Sequence, residues 1–152
     1  GATNGIPNAG SGWIYTVDEN GDWSLSAFLQ PPVPSEDYQY GEVVVLDNGL
    51  AALSARGTDY DGNGNECGGA PGCGSFTGTV HLVQRQSETV WTELGRIRAT
   101  SGHSFQMFGR AMALEGTQLL VGAYGDRANS TVTLTGAAFF YDLDSLQISN
   151  TQ

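Results

Sequence analysis

The 152-residue chain carries sixteen acidic residues against six basic ones, all Arg, for a formal net charge of −10. That balance argues against nucleic acid or anionic membrane as partners, since both need a basic footprint. No apolar run approaches the roughly 20 residues of a membrane-spanning helix. Twenty-two Gly with abundant Ser, Thr and Asn predict short strands joined by tight turns, in one domain or a pair of small units.

In chain order, residues 1–11 form an N-terminal extension with neither a basic n-region nor an apolar h-region, so an export signal is expected to have been removed. Strands are predicted at 12–18 and 22–30, joined by the turn Asp18-Glu19-Asn20-Gly21-Asp22, in a section that runs to residue 39. Pro31, Pro32 and Pro34 then break any strand and make an exposed connector. Strands at 41–47 and 50–56 flank Asp47-Asn48-Gly49, whose Asn and Gly accept the positive φ of a hairpin. A Gly-rich loop spans 57–77, and strands at 78–85 and 89–98 close a unit of residues 40–98. Strands at 108–115 and 118–124, around Glu115-Gly116-Thr117, and at 136–142 make a second, shorter unit over 99–142, followed by a tail at 143–152. Nothing reads as helix, so the fold class is all-β.

The chain repeats itself. Tyr40-Gly41 through Arg56-Gly57 lies without a gap over Phe108-Gly109 through Tyr124-Gly125, sixty-eight residues on, and the same offset carries Trp23 onto Trp91. Gly12-Trp13-Ile14, Gly78-Thr79-Val80 and Gly136-Ala137-Ala138 each set Gly before an apolar strand. A repeat is a unit that cannot cover its own faces and must stack on neighbours. Four strands per unit is the size of a propeller blade.

These residues resemble the FG-GAP repeat family, through Phe108-Gly109, Val121-Gly122-Ala123-Tyr124-Gly125-Asp126 and Gly136-Ala137-Ala138-Phe139-Phe140, with Trp91 and Leu94 at the outer strand. Tyr40-Gly41 and Leu53-Ser54-Ala55-Arg56-Gly57 form a degenerate copy. The resemblance implies four-stranded antiparallel blades of β-propeller type in a secreted or cell-surface, non-enzymatic protein. Read in that frame, the chain holds two and a fraction blades: the last two strands of one, a complete blade, and three strands of another. That count leaves an open ring, because propellers take 4–8 blades. The expected partner is the chain itself, head to tail, in a ring or filament held by strand complementation. The alternatives are a piece of a larger secreted propeller that binds or hydrolyses carbohydrate, with an extracellular protein or glycan as ligand, and a compact Greek-key sandwich.

Cys67 and Cys73 enclose five residues and suit a disulfide in an oxidising compartment; two thiols without a nearby His make a poor zinc set. Asp59-Tyr60-Asp61-Gly62-Asn63-Gly64-Asn65-Glu66 has the D-x-D-x-N-G spacing that converges hard oxygens on calcium. Asp59, Asp61 and Asn63 would give side-chain ligands and Asn65 a carbonyl, with Glu66 in reserve. Cys67 at the usual acidic position, and the loop's place after the Ala-Gly strand, leave an Asx-rich turn as the other reading. Asn129-Ser130-Thr131 is a glycosylation sequon at Asn129. His81 falls within a strand as a structural His, and His103 lies beside Ser104 with no acid in register, so no catalytic set is expected. Trp13, Trp23 and Trp91 have sugar-stacking chemistry, but their registration with the repeat assigns them to blade packing.

Overall fold

The computed structural model describes residues 5–60, 65–67, 74–99, 103–127 and 135–144. Among these there is no helix, and nine strands form three antiparallel sheets, none closed into a barrel. The first sheet pairs β1 (Gly12–Val17) with β2 (Trp23–Leu29). The second runs in the order β3 (Tyr40–Asp47), β4 (Leu50–Ala55), β5 (Thr79–Arg85) and β6 (Trp91–Ile97). The third runs β7 (Ala111–Glu115), β8 (Gln118–Ala123) and β9 (Ala137–Asp142). These are the open, propeller-like blades expected of the sequence, rather than a two-sheet sandwich.

The middle sheet packs against a neighbour on each face, except at the Val44 and Leu46 part of one face. On one face Tyr38, Tyr40, Ala51, Leu53, Ala55 and Val83 form a buried cluster, joined by Leu29 of the first sheet. On the other, Ala52, Val80 and Leu82 pack with Phe108, Leu119, Val121 and Ala123 of the third. Strand β4, Leu-Ala-Ala-Leu-Ser-Ala, is buried along its whole length. Its three alanines suit a strand with a neighbour on each side, because successive side chains point to opposite faces.

The twofold likeness extends to backbone detail. Gln39 N–H donates to Asn8 O (2.9 Å) and Tyr40 N–H to Ala9 O (3.0 Å) at the first joint. Sixty-eight residues on, Met107 N–H donates to Phe76 O (3.1 Å) and Phe108 N–H to Thr77 O (3.0 Å). Asn8, Asp37 and Gln39 hold φ of 53°, 57° and 56°, and Phe76, Phe105 and Met107 hold 52°, 61° and 57°. Bulges fall at Ile14/Tyr15 and Leu82/Val83, again sixty-eight residues apart. At the first joint Asn8 Nδ2 donates to Asp37 Oδ1 (2.7 Å); at the second, Phe76 and Phe105 stack at 5.9 Å.

This register corrects one expectation. The glycine equivalent to Gly78 is Gly10, not Gly12. Gly10 and Gly78 share a left-handed backbone (φ 78° and 87°), and a Cβ on either would lie 2.2 and 2.3 Å from the carbonyl oxygen of Tyr40 or Phe108. The next blade's backbone rests where a side chain would be, so only Gly fits. A second difference concerns the aromatic-Gly pairs. Phe108-Gly109-Arg110 turns rather than extends, because Gly109 sits at φ 89° and its N–H donates to Gly122 O; β7 therefore starts at Ala111.

Candidate functional site

The two ends of the blade stack carry the features that a sealed domain would bury. On the outer face of the first sheet, Trp13, Tyr15 and Val17 stand opposite Phe28, Leu25 and Trp23, and all six are between 37 and 70 % exposed. Trp13 and Phe28 rings lie 5.3 Å apart. At the other end, the outer face of the third sheet shows Ala111 and Ala113 of β7 with Leu120 (46 %) and Phe140 (63 %). Through the repeat, Ala113 and Leu120 correspond to Val45 and Ala52. Phe140 corresponds to Leu82, since Leu120↔Phe140 repeats the pair Ala52↔Leu82. Ala52 and Leu82 are buried against the following sheet, and Val45 packs on them. The third-sheet end is therefore half of an interface the chain builds internally between its second and third sheets, and at the first-sheet end Trp13 and Tyr15 stand where the middle sheet has the buried His81 and Val83. Clustered apolar exposure of this kind marks an interaction surface.

A third opening lies beside β1. Among the described residues the first sheet has no strands equivalent to β3 and β4, so part of the middle sheet is left without cover. Val44 and Leu46 are 51 and 56 % exposed, whereas their equivalents Met112 and Leu114 pack into the core. The result is an apolar groove of about 140 Å³ lined by Ile14, Leu29, Val44, Leu46, Ala51 and Leu53 among others. One side of it is the edge of β1, which pairs with no strand among the described residues.

Beneath the first joint lies a buried polar chain. His81, fully buried, places Nδ1 2.8 Å from Glu93 Oε1 and Nε2 3.3 Å from the Tyr38 hydroxyl. Arg96 donates to Glu93 (3.1 Å) and to Glu66 (2.9 Å). Burial pushes His81 below its ordinary value of 6.5, against the opposing pull of Glu93. Burial alone would raise Glu93, but the His81 hydrogen bond and the Arg96 charge outweigh it and hold it below 4.5. Burial raises the Tyr38 and Tyr40 phenols. Neutral His81 thus donates from Nδ1 and accepts at Nε2, clamping the joint segment to β5 and β6. The structural role expected of His81 fits this position, and its complete burial gives a substrate no access.

Of the loop residues singled out for calcium, Asp59 and Asn65 are described, while Asp61 and Asn63 lie outside the described residues. Asp59 Oδ1 accepts the Phe76 N–H (2.7 Å), and its carbonyl accepts the Cys67 N–H (3.0 Å). A carboxylate oriented by a backbone donor on one oxygen is compatible with ligation through the other. Glu66, held in reserve, is engaged by Arg96. Among the described residues no group of three or more His, Cys, Asp or Glu is placed to hold a metal ion. Cys67 is not a free thiol; Cys73 and Asn129 lie outside the described residues. Sequence reasoning missed the exposed Val44 and Leu46, whose alternation marks them as core, and the Tyr38–His81–Glu93 chain, whose members are too far apart in sequence to suggest contact. Carrying the sixty-eight-residue offset back to Gly10 would have found the joint.

Stacked antiparallel sheets with duplicated joints define the class: an all-β protein of propeller-type blades. Within it, residues 91–141, which run from β6 into β9, match the family model described as FG-GAP repeat. No curated protein and no solved structure shows a significant match. Such repeats occur typically in extracellular or surface proteins and are generally non-enzymatic.

Proposed function

We propose that this chain is a non-enzymatic, extracellular structural or adhesive module that self-associates end to end, by strand complementation and blade stacking, into a ring or filament. The observation that carries this reading is the pair of open ends: Trp13 and Tyr15 at one, Leu120 and Phe140 at the other, are exposed where their repeat equivalents His81, Val83, Ala52 and Leu82 are buried. The two ends differ in bulk: aromatic rings dominate one, small side chains with Leu120 and Phe140 the other. A contact between unlike faces is heterologous, and propagates until it closes. The 57–77 loop is proposed to be locked by a Cys67–Cys73 disulfide, with calcium held by Asp59, Asp61, Asn63 and Asn65. Light scattering across a concentration series, with negative-stain micrographs, tests the assembly: mass should rise in multiples of 16.0 kDa. A monomer at every concentration refutes it. The exposed ring array of Trp13, Tyr15, Trp23 and Phe28 supports a second reading, glycan binding, which a glycan array tests.

A further inference from the structure

We propose that assembly proceeds by strand exchange: β1–β2 of one copy displaces β9 from β8 of another, making a four-stranded composite blade. This deepens the self-association reading and rests on it.

Strands β1 and β9 occupy the same place in the repeat. The bulge sets Ile14 equivalent to Leu82, and the ladder to the preceding strand sets Leu82 equivalent to Phe140. In that register Gly12-Trp13-Ile14-Tyr15-Thr16-Val17 lies over Ala138-Phe139-Phe140-Tyr141-Asp142-Leu143. The order of types is one: small, aromatic, large apolar, Tyr, polar, aliphatic. Phe139 and Tyr141 pack edge-on against Phe108, at 5.4 and 6.2 Å. Trp13 and Tyr15, both exposed on their own chain, would bring the same chemistry to that ring. Five of the six β8 pairs are kept, because Gly12–Thr16 take the places of Ala138–Asp142 opposite Gly122–Gln118.

Three deficits are met together. Among the described residues the third sheet has no strand equivalent to β6, and β2 arrives with β1 to supply it, Trp23 standing for Trp91. The unpaired edge of β1 gains β8. The groove floored by Val44 and Leu46 receives Ala113 and Leu120, whose equivalents Val45 and Ala52 pack with Met112, Leu114 and the core around them at the second joint. Simple addition of β1–β2 outside β9 would instead give a five-stranded sheet with two strands of one type side by side. That arrangement leaves the groove open. In the chain alone, β9 holds the site β1 would take, so it acts as an intramolecular competitor.

Counted over the described strands, each copy contributes one complete blade and half of each of two composite ones, so a ring of n copies has 2n such blades. Propellers of about four to eight blades correspond to rings of two to four copies.

The test mixes two single variants, Thr16→Cys at a half-buried position and Gln118→Cys at an exposed one, under oxidising conditions. Gln118 pairs with Asp142 in the free chain, and Thr16 is the equivalent of Asp142. Exchange predicts a disulfide-linked dimer in the mixture, absent from either variant alone. In the unsubstituted protein, hydrogen exchange should show residues 137–142 losing protection at least tenfold on assembly while 118–123 keep theirs. Assembly without the mixed dimer, or with residues 137–142 equally or more protected, overturns the exchange and leaves self-association standing. Failure of the protein to assemble at all removes both.

Discussion

Replacing Gly78 with Ala tests whether the joints are held by backbone seating on backbone. Gly78 lies at φ 87°, and a Cβ there would come 2.3 Å from the Phe108 carbonyl oxygen and 2.7 Å from its nitrogen. Gly21 provides the control, with φ 88° and nothing within 4 Å of its Cβ position. The left-handed conformation alone costs an L-residue about 1–2 kcal/mol, so that is the expected effect of Gly21→Ala. At Gly78 the neighbouring strand must also move, and it is tied by the Phe108 N–H to Thr77 O bond at 3.0 Å. Losing a buried backbone bond adds about 1–3 kcal/mol, for a total of about 2–5 kcal/mol. For a chain of this length that is a fall in Tm of roughly 4–20 °C. Urea and thermal melts of the two variants measure the difference. Agreement between them within about 0.5 kcal/mol would show that the seat tolerates a methyl group, and the account of the joint would be wrong.

Three further outcomes are expected. Because His81 is held below 6.5 in the folded state, its contribution to stability is present above 6.5 and is lost as pH falls, by up to about 1.4 kcal/mol per pH unit; Glu93, held below 4.5, adds to the loss at lower pH. Melts from pH 7 to 5 should show this slope, and His81→Gln should flatten it although the variant is weaker at pH 7. Leu120→Arg places a charge on the exposed face of the third sheet; it should weaken association at least tenfold by light scattering with Tm unchanged within a few degrees, and unchanged association would remove that face from the contact. Calcium at a hundredfold excess over its dissociation constant should stabilise the protein by about 2.7 kcal/mol, an effect lost in Asp59→Ala with Asp61→Ala; no shift at 10 mM would remove the metal from the loop.

The strands were legible because their apolar runs are short and bounded by Gly, Asn and Asp, and the grouping into sheets followed from the repeat. The two-residue error at Gly10 has a physical origin. A strand's side chains alternate with period two, so sliding by two residues leaves every side chain on its own face, and Gly10-Ser11-Gly12 offers a glycine in either register. Only the close approach of Tyr40 separates them. The partial first and third sheets were readable from the phase of the repeat, since the described strands begin and end partway through a blade. The exposure of Val44 and Leu46 was not, because alternation reports which face a residue occupies and says nothing about whether that face has a neighbour. The Tyr38–His81–Glu93 chain joins residues from three separate segments, and local spacing carries no record of such a meeting.

The paired residues Asn8–Asp37 and Phe76–Phe105 have a wider consequence. One seam is fastened by a polar clip and the other by two rings, yet both use the same main-chain scaffold and the same left-handed torsions. The scaffold thus sets the geometry of a seam, and the side chains are left to choose its adhesive. Modules of this design can diversify their mutual preferences one pair at a time without altering the curvature of the stack.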